Sequence, residues 1–140
     1  MRTRADVVAV ARTWLGTPYH HQASIKGVGA DCIGFVKGVA LEAGLITQEM
    51  AEGLPIDYSR QQTGGRLRRI MGDLLIAVPS SEVLPADVFL MRIAGEDSHI
   101  GLYTDLGIIH CHSDVKGVVE QRLDSDTRKM ISRAYRFRSL

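Results

Sequence analysis

The chain has 140 residues, 45% of them hydrophobic, which is enough apolar surface for one globular domain to fold unaided, and residues 1–140 are read as a single domain. Seventeen Lys and Arg against sixteen Asp and Glu leave a formal charge of +1, so there is no field to hold nucleic acid or an anionic membrane. Two cysteines, Cys32 and Cys111, cannot build a disulfide scaffold, and each needs its own explanation.

The N-terminal MRTRADVVAVARTW has an uninterrupted apolar run only from Val7 to Ala11, with Asp6 beside it. That fits neither a signal peptide nor a membrane span, and implies a protein made and kept without Sec export. Asp6 is a candidate cap for a first helix with Val7, Val10, Ala11 and Trp14 on its apolar stripe, stopped by Gly16 and Pro18. Residues 17–31, TPYHHQASIKGVGAD, show no sustained periodicity and read as an ordered loop. Asp31 suits the N-cap of a second helix with Ile33, Val36, Val39, Ala40 and Ala43 inward and Gly44 as its stop. After an irregular stretch containing Gly53, Pro55, Gly64 and Gly65, the spacing of Leu67, Ile70, Met71, Leu74, Leu75 and Val78 predicts a third helix, with Arg66, Arg68 and Arg69 outward. From Pro85 the pattern turns to short β-rich runs, VFLMRI, HIGLY, GIIHCH, GVVEQ and AYRFR, the last preceded by a polar segment at 124–132. Helices first and a strand meander second make an α+β fold.

Cys32 falls in the first turn of the second helix, where unpaired N–H groups and the macrodipole favour a thiolate. Gly34 and Gly38 on that helix cost up to roughly 1 kcal/mol each relative to Ala, which calls for a close approach by backbone or substrate. A lone cysteine is as readily a small buried hydrophobe. Strand alternation sets His99, Gly101 and Tyr103 on one face of HIGLY, and Ile108, His110 and His112 on one face of GIIHCH, with Cys111 opposite. If the two runs form a hairpin through TDLG, His110 approaches His99 across the ladder, giving a thiol, a base and a group to orient the base. His112, two residues further along, should matter least. Taken alone, His99 reads as a hydrogen-bonded core or surface histidine, and His110 and His112 as an ordinary exposed sheet face.

Five segments in order, WLGTPY, GVGADCIGFV, PADVFLM, HIGLY and GIIHCHSDVKGVVE, resemble the ordered motifs of the NlpC family of cysteine peptidases over roughly residues 8–120. The resemblance implies a reduced papain-like fold, with N-terminal helices packed on an antiparallel sheet of about five strands. It makes Cys32 the nucleophile, His99 the base and His110 the residue that orients it. Tyr19 places its hydroxyl near the oxyanion, with the Cys32 N–H as the other donor, and Asp31 matches an acid that in some members meets a substrate amine. The implied activity is hydrolysis of an amide in the peptide stem of bacterial peptidoglycan, commonly between D-glutamate and the diamino acid, with no metal and no cofactor. Two departures, Ile33 where Ser is usual and His20-His21-Gln22 where a Gly-rich step is usual, look most like bacteriophage tail-cluster versions. Tail-tip or baseplate proteins are then expected partners, and a cytoplasmic origin in a bacterium followed by the virion tail the expected location.

Three rival readings stand beside this one. His20, His21, Cys32, His99, His110, Cys111 and His112 could ligate zinc, although their spacings match no zinc pattern. The domain could be a tail-tip docking piece with secondary catalysis. The same thiol could perform acyl transfer or deamidation. Trp14 and Cys111 read as core, Arg136 and Arg138 as an exposed strand face, and His20 and His21 as either groove lining or loop packing.

Overall fold

The structure is a computed structural model describing residues 2–54 and 65–140; Pro55 and Gly64 of the expected irregular stretch lie outside the described residues. The first helix, α1 (Arg4–Arg12), starts earlier than Asp6 because Thr3 caps it. Thr3 Oγ1 accepts the Asp6 N–H at 3.1 Å and the Asp6 carboxylate accepts the Thr3 N–H at 3.0 Å. This reciprocal capping box satisfies two backbone donors, so Asp6 belongs to the first turn instead of preceding it. Val7, Val8 and Ala11 face the core, and Trp14 just beyond the helix is buried.

The loop expected over 17–31 holds a two-stranded hairpin, β1 (Ser24–Ile25) with β2 (Gly29–Ala30). It leads directly into α2 (Cys32–Glu42), followed by the short α3 (Gln48–Glu52). Gly34 and Gly38 of α2 are where the helix is approached closely. A Cβ on Gly34 would lie 1.9 Å from the Ala23 carbonyl oxygen, and one on Gly38 would lie 2.2 Å from the Trp14 ring. Trp14 in turn meets Phe35 edge-on, ring centroids 6.0 Å apart.

Helix α4 (Arg66–Leu74) ends short of the expected span. Leu67, Met71 and Leu75 are buried, but Ile76–Val78 leaves the helical path and becomes strand β3, pairing with the last strand. Pairing gives that backbone partners that a continuing helix would not, and tertiary context overrides the helical spacing. The remaining strands are β4 (Val88–Ile93), β5 (Glu96–Tyr103), β6 (Ile108–His112), β7 (Gly117–Gln121) and β8 (Ile131–Arg136), with α5 (Ser125–Met130) before β8. Helix α5 falls within the polar segment at 124–132. Asp124 nucleates it by accepting the Thr127 N–H at 2.8 Å.

Among the described residues these strands form one antiparallel sheet of order β3-β8-β4-β5-β6-β7, with six strands where about five were expected. Its helix-side face presents Val88, Leu90, Ile100, Leu102, Ile109, Cys111 and Val118 to a core completed by Val7, Ala11, Phe35 and Val39. A smaller cluster of Phe89, Met91, Ile108 and Ala134 covers the other face. Each fully buried aliphatic side chain contributes about 1.5–3 kcal/mol. Arg136, expected to be an exposed strand residue, instead grips the buried Asp87 with Nε at 3.1 Å and Nη2 at 3.0 Å, and Arg4 reaches the same carboxylate at 2.9 Å. Arg68 is likewise not simply solvated, since its Nε lies 3.7 Å from Asp97.

Candidate active site

Two features of the sheet open the site. The β5–β6 ladder runs only over Gly101–Tyr103 against Ile108–His110, so the part of β5 before Gly101 is paired with β4 alone. The N-terminus of α2 is set against this stretch, because α2 packs on β5 and β6. Cys32 is the first residue of α2 and remains partly exposed. Burial pushes its thiol up to about 12, while the backbone N–H groups of Ile100 and Ile33 pull the other way. The sulfur therefore sits at the residue next to His99. Burial therefore opposes the thiolate that the helix N-terminus favours.

Asp31 caps α2 as the sequence indicates, Oδ1 accepting the Gly34 N–H at 2.7 Å. Its Oδ2 accepts the Gln22 N–H at 2.8 Å, so one buried carboxylate ties the helix end to the 20–23 turn. Tyr19 is half-buried nearby. Burial, followed by the charges of Asp31, Cys32 and Cys111, raises its phenol above the usual value. Cys111 is wholly buried and donates its S–H to the Ala30 carbonyl at 3.1 Å, the packing role expected of it.

His99 is 2% exposed. Its Nε2 lies 2.8 Å from His110 Nδ1, and His110 Nε2 lies 2.6 Å from Gln121 Oε1. In register His110 is opposite Gly101, not His99, so it meets His99 diagonally. Gly101 is what lets its neighbours close in: a Cβ there would lie 2.5 Å from Ile108 Cδ1 and 3.1 Å from His110 Cβ. Burial first, then the charges of His110 and His112, drives the His99 imidazole down to about 3. His110 is also lowered, by burial, with the Gln121 hydrogen bond opposing.

His112, expected to matter least, packs on His99 as closely as His110 does. Its ring centroid is 5.1 Å from that of His99, against 5.0 Å for His110, both edge-on. What separates the two is the hydrogen bond, which only His110 makes to His99; His112 Nδ1 accepts the Asp114 N–H at 3.1 Å. Gln121 was not singled out from the sequence, although alternation along GVVEQ sets it on the face of Val119, the partner of His110. His20 is exposed, its Nδ1 3.2 Å from the His21 carbonyl. Among the described residues no group of three His, Cys, Asp or Glu side chains is disposed to hold a metal ion. Ile33, one of the two departures, lines an apolar recess between α2 and α4 together with Val36, Ala40, Leu67, Met71 and Ile100.

The arrangement can thus supply a thiol, an imidazole relay two rings deep ending on an amide, a phenol, and a helix-terminal N–H group. No protein-family model matches the sequence, and no curated protein does. Solved structures do share the fold. A NlpC/P60 family protein from Bacillus cereus ATCC 10987 matches with a TM-score of 0.70 at 22% identity, over 97% of this chain and 40% of that one. The NlpC/p60 domain of the peptidoglycan hydrolase SagA matches at 0.65 and 20% identity, over 96% and 99%. A lipoprotein-like NLP/P60 family protein from Staphylococcus aureus subsp. aureus Mu50 matches at 0.65 and 18%, over 96% and 41%. The chain spans about two fifths of the first and third of these and nearly all of the second. Its fold is the reduced papain-like α+β fold of those proteins.

Proposed function

We propose that this domain is a cysteine peptidase that hydrolyses an amide bond in the peptide stem of bacterial peptidoglycan. The observation that carries the reading is the buried His99–His110 pair, 2.8 Å apart, one residue along β5 from Ile100, whose backbone N–H acts on the helix-terminal Cys32, in an NlpC/P60-type fold. His99 takes the Cys32 proton as the sulfur attacks the carbonyl carbon. The developing oxyanion is held by the Cys32 backbone N–H and the Tyr19 hydroxyl. Collapse breaks the C–N bond, His99 returns its proton to the departing amine, and a thioester remains. Water, deprotonated by His99, then attacks the thioester and frees the acid and the thiol. Burial raises the thiol and lowers the imidazole, and both shifts favour the uncharged pair, in which proton transfer accompanies attack.

The bond between D-glutamate and the diamino acid is the specific target in this reading. Asp31 already holds two backbone N–H groups, so a stem amine would add to those bonds, not replace them. Residence on a phage tail rests on Ile33 and the His20-His21-Gln22 step, and detection of the chain in purified particles tests it. Incubation with defined muropeptides followed by mass analysis tests the activity. Cleaved stems from the wild type and none from Cys32→Ala support it; intact stems with folded wild type overturn it, and transferred acyl groups or deamidated products redirect it to the other thiol chemistries.

A further inference from the structure

The relay does not end at His110, and its far end decides which way every proton in it points. After attack, His99 is an imidazolium and carries hydrogens on both ring nitrogens. Its Nε2–H must then be accepted by His110 Nδ1, 2.8 Å away. A neutral imidazole accepting at Nδ1 carries its hydrogen on Nε2, so whatever faces His110 Nε2 must itself accept. Gln121 Oε1 is there at 2.6 Å. Turning the Gln121 amide to present its NH2 would reverse the chain: His110 would carry Nδ1–H, His99 Nε2 would accept it, and His99 would hold a hydrogen on Nδ1, the nitrogen needed free as the base.

We infer that Gln121 is a positioning residue that sets the tautomers of His110 and His99 through its amide oxygen, leaving His99 Nδ1 unprotonated in the resting enzyme. This rests on the reading of His99 as the base. The surroundings leave the task to Gln121. The neighbouring carboxylate, Glu120, is turned away and bound to Arg12 through both oxygens, at 3.0 and 2.9 Å, and to the Thr104 hydroxyl at 2.8 Å. His112, the other ring at this cluster, has its Nδ1 engaged by the Asp114 N–H, and Asp114 lies on that side. Gln121 itself sits exposed at the end of β7, opposite Ile108, where its side chain reaches two residues along the ladder.

The test reads the ring nitrogens directly, by 15N chemical shifts of histidine-labelled protein, alongside steady-state kinetics on one muropeptide. In the wild type, Nε2 of both His99 and His110 should be protonated and Nδ1 of both bare. Gln121→Met, which removes the acceptor, should mix the tautomers of His110 and lower kcat about tenfold, a barrier change of about 1.4 kcal/mol, with KM nearly unchanged. Gln121→Glu accepts only, and should restore the single tautomer and most of kcat while moving the His110 titration upward. A wild-type spectrum with His110 protonated at Nδ1, or a Gln121→Met protein with unaltered tautomers and kcat, overturns the inference. Expected spectra in a protein that cleaves no muropeptide would instead retain the tautomer control and remove the proposed function.

Discussion

His99, His110 and His112 form one packed group in which contact and chemistry are distributed differently. His99→Ala should lower activity by about 10²–10⁴-fold, the usual worth of a general base, and approach the loss seen with Cys32→Ala. His110→Ala removes the hydrogen bond that orients the base and should leave measurable activity. His112→Ala should fall between His110→Ala and the wild type, because it removes a ring packed against His99 without removing a relay hydrogen bond. Kinetics of the three variants on one muropeptide, with circular dichroism to confirm folding, give the order; a dead His112→Ala beside an active His110→Ala would make His112 the orienting residue. The same burial fixes the pH dependence of stability. His99 is depressed from 6.5 to about 3, so between these values the unfolded chain binds the extra proton, and stability falls as pH drops through this window. Cys32 is raised from 9.0 to about 12, so the unfolded chain is the one that loses a proton above pH 9, and stability falls again on that side. Melting temperature against pH should show a plateau from about 7 to 9 between the two reference values, and His99→Gln should flatten its acid side.

At the scale of the element, the first turn of α2 is fixed from two sides. Asp31 caps it and ties down Gln22, while Gly34 lets the Ala23 carbonyl lie against the helix backbone. Gly34→Ala gains helix propensity of about 1 kcal/mol, yet the 1.9 Å approach cannot be accommodated without parting the turn from the helix. The expected outcome is a lower melting temperature and a Cys32 displaced from Ile100, read as loss of turnover. A stabilised, fully active Gly34→Ala protein would show that the turn does not hold the nucleophile. Asp31→Ala should cost about 1–2 kcal/mol as a lost cap, and more for the Gln22 bond, measurable by denaturant unfolding.

Over the whole molecule, Asp87 joins regions distant in sequence. Its carboxylate at the start of β4 accepts from Arg4 of α1, Arg136 of β8 and the Leu84 N–H. Burial raises this group, but the Arg136, Leu84 and Arg4 hydrogen bonds outweigh it and hold the carboxyl below its usual value. Its stabilisation is therefore present above pH about 4 and lost as the pH falls through the lowered value. Asp87→Ala should destabilise the fold by about 1–3 kcal/mol, the worth of hydrogen bonds to a charged group whose partners are partly exposed. A change below 1 kcal/mol by urea denaturation would show that α1 and β8 are held by packing alone.

The α+β order, the Asp31 cap, the inward stripe of α2 and the strand runs were legible in the sequence, because each depends on periodicity or local backbone chemistry within a few residues; the roles expected of Cys32, His99 and His110 came from the resemblance to the NlpC motifs and not from those patterns. The sixth strand was not. Ile76–Val78 continues a helical spacing, and only pairing with β8, some sixty residues further on, makes it extended. Arg136 looked like a surface cation because its partner Asp87 is far away in the chain. His112 and Gln121 lie beyond reach for the same reason: which ring of a histidine-rich strand bonds to His99, and where that bond chain ends, depends on the register of β5, β6 and β7 and on the diagonal contact that Gly101 permits. The protonation of Cys32 belongs there as well. A helix N-terminus alone favours the anion, but burial, which only tertiary packing sets, pulls the other way.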